Sequence, residues 1–467
     1  MTDEITYDAR IYKTEVYKGK KVTTYYVRWR TGKKKQLWKE PFRNSAQAES
    51  FRSALVTAAR KGEAFSLATG RPVTWQRDAS EKARTSWYAF ALDYAAVKWP
   101  YVSPNQRRSI AETLTDATEA MFAAENRPYG LAEIRHTLRT WAFSTRLRGV
   151  SEPPADCAPI ARWLETATTP VADLARPGNG AARSRALLDR ISKKQDGTLA
   201  AANTANRKRA VLNNAMEYAV ERDIVSANPL KAVKWTQPRT LRTVDPRCVV
   251  NADQARRLLA AVAKQGPRGE RLEAFFGCMY YAALRPEEVT DLRRENLTSL
   301  PDHGWGEMIL TNSQPRSGSN WTDDGSVRQR RELKHRPPGE TRRVPIHPDL
   351  VTLLRDHLKR FGTGPNGRVF SLLRGGIVTD RAYLAVFHAA RDAAFTEQEA
   401  DSLLARHPYD LRHAAVSIWL NAGAEPTRVA AWAGHSVGVL HRVYAKCVAG
   451  KETEIMCRIF DATRPAV

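Results

Sequence analysis

Apolar and polar side chains alternate in the first part of the chain. In Thr24-Tyr25-Tyr26-Val27-Arg28-Trp29-Arg30 the apolar or aromatic positions 25, 27 and 29 recur with the period of a half-buried strand. Thr31-Gly32-Lys33 supplies a turn, and Gln36-Leu37-Trp38 begins a further extended piece. Asn44-Ser45 offers an N-cap, and Ala46 to Arg60 has helical character. The pattern predicts a small module over residues 1–70: a three-stranded sheet carrying one helix.

The period changes after Gly70-Arg71-Pro72, which reads as a linker. From about residue 80 to 235 the pattern is helical, interrupted at Pro100, Pro128, Pro153-Pro154 and Pro177-Gly178. Its clearest helix runs from Thr204 to Arg222, with Ala210, Leu212, Ala215, Met216 and Val220 along one side and Arg207, Lys208 and Arg209 near its start. Asn228-Pro229 stops it. Residues 78–236 are therefore expected to form a helical domain. The stretch from 234 to 248 is polar and proline-interrupted and reads as an interdomain linker, so a third domain, 249–467, opens near Val249.

In that third domain Leu272 to Ala283 carries apolar residues at 272, 275, 276, 279, 280 and 283, a helical stripe. Leu284-Arg285-Pro286-Glu287-Glu288 follows. Pro286 suits the first position of a new helix, and the acids suit its first turn. Arg285 then sits at a helix-to-helix corner, where its side chain can project into a cleft. A β-like stretch from Glu307 to Thr311 leads through a polar loop to a hairpin whose first strand carries Lys334 and whose return strand holds Arg342 to Ile346. Tyr409-Asp410-Leu411-Arg412-His413 opens a helix that runs to Gly423. Pro426 begins another, which Gly434 closes. His435 follows directly, and a last helix from Val437 to Lys446 puts Val437, His441 and Tyr444 on one face. The fold class expected is multidomain and mainly α with small β-sheets: sheet plus helix, then a helical domain, then an α+β domain.

Charge changes this picture. The 467 residues hold 74 Lys plus Arg against 50 Asp plus Glu, a net +24, and 42% hydrophobic residues suffice for real cores. A surplus of that size spread along the chain points to a polyanionic partner, nucleic acid above all. In the N-terminal module Arg28, Arg30, Lys33, Lys34 and Lys35 interleave with Tyr25, Tyr26, Trp29 and Trp38. That face reads as DNA-binding, with a solvated basic hairpin as the alternative. Arg207 and Lys208 are the corresponding candidates in the helical domain. The five cysteines, 157, 248, 278, 447 and 457, have neither metal-ligand spacing nor a disulfide framework. No apolar run reaches the roughly 18 residues of a membrane span, and the N-terminus lacks a signal-peptide pattern. A soluble, cytoplasmic, nucleoid-associated protein is expected.

Five motifs in order resemble the tyrosine recombinase (phage integrase) family, in particular integrases of actinobacterial integrative elements. Ala283-Leu284-Arg285-Pro286-Glu287-Glu288 is similar to its first arginine motif, and Lys334 upstream of Arg343-Val344-Pro345-Ile346 to its hairpin lysine. Tyr409-Asp410-Leu411-Arg412-His413 is similar to its second arginine motif, and Ala433-Gly434-His435-Ser436 to its glycine-histidine box. Tyr444 stands nine residues after His435. The likeness is strong over about 249–450 and looser before it.

The resemblance implies a metal-independent enzyme without cofactor. Tyr444 would attack a phosphodiester to give a 3′-phosphotyrosine, Arg285, Arg412 and His435 would hold the phosphate, and Lys334 would protonate the leaving oxygen. It also implies arm-type binding by the N-terminal module, core-site binding by the helical domain, a homotetramer on DNA, and help from a host DNA-bending protein and an excision factor. The apolar tail, Ile455, Met456, Ile459 and Phe460, would dock on a neighbouring subunit or pack on its own. One departure stands out: the family's histidine three residues before the second arginine is Tyr409 here, for which a positioning role is expected, and the group that deprotonates Tyr444 is left open. Arginine forks suit a phosphate because their paired N–H groups match its oxygens. There is no Walker loop and no H-E-x-x-H, and Asp323-Asp324 reads as a loop turn rather than a metal site. Two other readings share parts of this evidence. One is a type IB topoisomerase, and the other is a DNA-binding regulator built on an inactivated recombinase.

Overall fold

A computed structural model describes residues 4–19, 22–32, 36–75, 81–82, 84–240, 243–334, 337, 339–444, 456 and 460. It divides into two compact units, Met1–Pro238 and Arg239–Val467. The chain is mainly helical with small sheets. Among the described residues no helix is long and apolar enough to cross a membrane. Lys33, Lys34 and Lys35 lie outside the described residues, as does the tail except Met456 and Phe460.

The first unit opens on an antiparallel sheet centred on the strand Thr23–Thr31. Gln36–Phe42 pairs along one side of it, and Ala9–Ile11 and Glu15–Lys18 pair along the other. There are four strands rather than the expected three because one edge is broken. Ile11 faces Trp29 but Glu15 faces Tyr26, so the register slips by one residue in between, as at a β-bulge. The alternation read from the sequence has a physical counterpart. Val27, Trp29 and Thr31 are buried, while Arg30 is exposed and Arg28 half-buried. The buried row packs with Ala48, Leu55 and Ala58 of the helix Ser45–Arg60. Asn44 caps that helix, its side chain accepting from the Ala46 amide at 2.8 Å.

Helices fill the rest of the first unit, among them Trp87–Lys98, Pro104–Ala120, Gly180–Ile191 and Ala202–Glu221. Ala202–Glu221 buries Ala205, Leu212, Ala215, Met216 and Ala219. Ala210, expected on that side, is exposed. Lys208 is not a free surface cation either. Its ammonium pairs with the buried Asp116, in a cluster with Glu119, Arg135 and Arg190. Lying four residues before Leu212, it borders the buried stripe, and a carboxylate meets it there.

The second unit is an α+β domain. Its core lies between the helices Ala252–Ala263, Glu273–Tyr281, Pro348–Phe361 and Asp380–Ala394 and a three-stranded sheet. The sheet runs Arg342–Ile346, Gly306–Leu310, Leu297–Ser299, all antiparallel. This corrects the expected hairpin. Arg342–Ile346 pairs with Gly306–Leu310, while Arg331–Glu332 pairs with Asn312–Ser313. Lys334 stands just beyond that short strand, exposed in a turn. The interdomain stretch is also less free than its polarity implied. Val244 is buried with Ala415, Val429 and Leu440, and its amide donates to the Val443 carbonyl at 2.7 Å.

Candidate active site

Two arginines pair with one carboxylate, and a third lies close by. Arg285 is the N-cap of the helix Pro286–Asp291, and Glu288 lies one turn on. The Glu288 carboxylate accepts from the Arg285 amide and from its guanidinium, each at 2.8 Å. The same carboxylate takes a two-pronged pair from Arg342, at 2.8 and 2.7 Å. All three side chains are buried. Burial alone would raise the Glu288 carboxyl, but Arg342 and Arg285 overcome it and hold the group well below the usual carboxylate range.

Arg412 has a different set of partners. It sits in the first turn of the helix Tyr409–Asn421 and is fully buried. Its guanidinium donates to the main-chain carbonyls of Ala283 and Ala433 and to His435 Nε2, the last at 2.8 Å. Burial and the nearby Arg285 pull its pKa below the ordinary arginine value. Ala283 holds a left-handed φ of 51°, an uncommon conformation for alanine.

Gly434 explains why its motif needs glycine. It closes the helix Pro426–Ala433 with φ 67°, and its carbonyl accepts from Arg285 at 2.8 Å. A Cβ there would collide with the Arg342 guanidinium and come within 3.2 Å of Arg285. The left-handed cap also delivers His435 to Arg412. An arginine can only donate, so His435 Nε2 accepts, and the neutral ring carries its proton on Nδ1. That Nδ1 is buried and has no partner among the described residues. Burial, Arg412, Arg285 and Arg342 push the His435 pKa down to about 3, so the ring is neutral near pH 7.

Tyr444 ends the helix Val437–Tyr444 and is buried. Its hydroxyl lies 2.9 Å from His413 Nδ1. The Tyr444 and His435 ring centres are 6.0 Å apart. Tyr409, half-buried, stacks edge-on against His413 at 5.1 Å and stands 5.8 Å from the Arg412 guanidinium carbon.

Of the residues singled out in the sequence, Arg285, Tyr409, Arg412, His435 and Tyr444 are thus brought together. Lys334 is exposed in its turn. Arg28 pairs with Glu15 across the N-terminal sheet, Arg30 is exposed, and Arg207 lies 3.8 Å from Glu112. Two residues were missed, Arg342 and His413. Arg342 shares strand parity with the buried Val344 and Ile346, so alternation marks it as inward-facing. His413 is one helical turn after Tyr409, on the same face. Among the described residues one group could gather around a metal: His136, Asp156 and Cys157 of the first unit, two of them exposed. Asp324 accepts from the Ser326 amide and hydroxyl, a loop turn.

Residues 249–448 match the phage integrase family model. That stretch is similar to the phage integrase family. The chain is also similar to the tyrosine recombinase XerD of Ralstonia nicotianae, 26% identical over 263 residues, covering 54% of this chain and 70% of the relative. Among solved structures, the XerH site-specific recombinase bound to palindromic difH substrate aligns with a TM-score of 0.48 at 13% identity, covering 81% of this chain and 97% of that one. The Tn1549 transposon integrase in complex with a circular intermediate DNA aligns with a TM-score of 0.46 at 15% identity, covering 68% and 97%. The arginine cluster, Gly434-His435 and Tyr444 all fall within the stretch that carries the phage integrase match.

Proposed function

We propose that the protein is a site-specific tyrosine recombinase that cleaves and rejoins double-stranded DNA through a 3′-phosphotyrosine on Tyr444, integrating or excising a mobile element. The observation that carries this reading is an imbalance of buried charge. Arg285 and Arg342 share the one buried carboxylate of Glu288, the fully buried Arg412 bonds only two carbonyls and a neutral imidazole, and a buried tyrosine and a histidine N–H without a partner among the described residues stand beside them. Burying charge without compensation is costly. A phosphodiester anion supplies what the cluster lacks.

On this reading Arg285 and Arg412 hold the nonbridging oxygens and His435 Nδ1–H donates to the same phosphate. Such preorganised donors act most strongly as charge builds in the transition state. Tyr409 positions the Arg412 and His413 side chains. Lys334 protonates the leaving 5′ oxygen, which requires its turn to close over bound DNA. The phosphotyrosine keeps the energy of the broken bond, so rejoining needs no nucleotide.

The division of labour is part of the proposal. Residues 1–70 bind arm-type sites, and the open face of their sheet, with Arg28, Arg30 and Lys39, supports it. Residues 78–236 bind core sites, with Arg207 on the surface and Lys208 serving structure. Residues 249–467 catalyse, and a homotetramer assembles on DNA with a bending protein and an excision factor. Purified protein supplied with two attachment sites on one plasmid tests this. Joined sites are the result expected. Efficient relaxation of any supercoiled plasmid, with no joining, would favour a type IB topoisomerase instead.

A further inference from the structure

We propose that His413 is the catalytic residue that takes the proton from Tyr444 as its oxygen attacks the phosphodiester. The proposal rests on Tyr444 being the nucleophile and adds the base that this nucleophile needs. A neutral tyrosine is a weak attacker, since about 0.1% is phenolate at pH 7 when its pKa is near 10.

The geometry selects among the candidates. Tyr409 occupies the slot where the family's motif has histidine, and a phenol is no proton acceptor near neutrality. The His435 Nε2 lone pair faces Arg412 at 2.8 Å, and its Nδ1 carries the proton. Neither nitrogen is then open to accept. His413 is the imidazole in hydrogen-bond contact with the Tyr444 hydroxyl, with Nδ1 at 2.9 Å and ring centres at 5.6 Å. That is the separation a general base requires. With its own proton on Nε2, the ring presents its Nδ1 lone pair to the tyrosine.

The balance of the step is simple. The Tyr444 O–H bond breaks and its proton passes to His413 Nδ1. The phenolate oxygen forms a bond to phosphorus, the bond from phosphorus to the 5′ oxygen breaks, and that oxygen takes its proton from the general acid. In rejoining, the 5′ hydroxyl returns its proton to the group that served as acid and bonds phosphorus, the bond from phosphorus to the Tyr444 oxygen breaks, and His413 returns the proton to that oxygen.

The surroundings make this base conditional on substrate. His413 faces Tyr409 and Arg412 from its own helix, Tyr444 from the last helix, and His435 from the loop between. Burial first, and then Arg412, push its pKa down from 6.5 to about 4. Without DNA it is a feeble acceptor. A phosphate anion bound at Arg412 cancels the positive field acting on His413 and raises its proton affinity. Tyr444 is thereby activated only when a phosphodiester is in position.

The test is single-turnover cleavage of a nicked core-site DNA by the full chain, from mildly acidic to alkaline pH. His413→Ala should slow adduct formation about 10²- to 10⁴-fold near neutrality. The loss should shrink as pH rises and should be partly rescued by added imidazole. His413→Asn, closer in size and still able to hydrogen-bond, should be as slow as the alanine variant if proton acceptance is the role. Rapid cleavage by the asparagine variant, or slow cleavage with neither pH recovery nor imidazole rescue, would overturn the proposal. Should wild-type protein form no adduct on Tyr444, the nucleophile assignment itself fails, and that outcome is read before any variant.

Discussion

In the helical region Asp116 and Glu119 stand among Arg135, Arg190 and Lys208, whereas in the second unit one buried carboxylate, Glu288, pairs with Arg285 and Arg342 while the buried Arg412 bonds two carbonyls and His435. Both clusters are largely buried, and both tie together segments distant in sequence. Arg285 behaves like Arg135, its pKa raised against burial by its carboxylate partner, and Arg412 is the exception. Burial works against the charge of Arg135, but its bonds to Asp116 and Glu119 more than offset this, and its pKa rises. Burial and the neighbouring Arg285 leave the pKa of Arg412 lowered. The first cluster is complete within the protein. The second keeps a cation whose partners are two carbonyls and a neutral imidazole.

The largest expected effect concerns Tyr444. Tyr444→Phe should bind core-site DNA like wild type and form no covalent adduct. A gel-shift run beside a denaturing gel checks both halves.

Arg412→Ala comes next. Losing one such donor costs about 3 kcal/mol or more of transition-state stabilisation, roughly a hundredfold in rate. Arg190→Ala, its counterpart in the complete cluster, should lower thermal stability without a comparable effect on the cleavage rate of the folded protein. Equal cleavage defects in the two would erase the distinction drawn here.

Glu288→Gln sharpens the contrast in stability. It leaves buried guanidiniums uncompensated, a class of change that typically costs about 3–5 kcal/mol. Asp116→Asn, with Glu119 still in place, should cost less. Urea melts of the two variants rank them, and a larger loss for Asp116→Asn would contradict the ranking.

The smallest effect is on acid stability. The folded-state pKa of Glu288 is depressed, so its contribution is present above the unfolded carboxylate value and is lost as pH falls toward the folded one. His413 and His435 are depressed too, to about 4 and about 3. Below their unfolded value of about 6.5 the unfolded chain binds more protons, so stability falls with pH down through those windows. Bound DNA should raise both histidines and narrow the windows. Thermal melts with and without core-site DNA at mildly acidic pH check this.

Much of the site was legible because its residues are announced by local signals. Pro286 marks the helix start that Arg285 caps, and Gly434 marks the left-handed turn that presents His435. The sheet-and-helix start was legible from parity and an Asn cap. What was not legible depends on pairing at a distance. The broken edge strand of the N-terminal sheet follows from a one-residue register slip that composition does not reveal. The return strand at Arg342–Ile346 pairs with Gly306–Leu310 rather than with the segment holding Lys334, because register depends on which strands the core brings side by side. Lys208 looked like a DNA contact until Asp116, 92 residues away in the chain, met it. His413 was visible as a residue, but its bond to Tyr444 spans 31 residues and two helices.

The most direct measurement traps wild-type protein on a nicked core-site DNA, digests the complex, and maps the residue that carries the nucleotide. A 3′-phosphotyrosine at Tyr444, close to Arg412, is the result expected. A nucleotide on Tyr409 or any other residue, or no covalent complex at all, would contradict it.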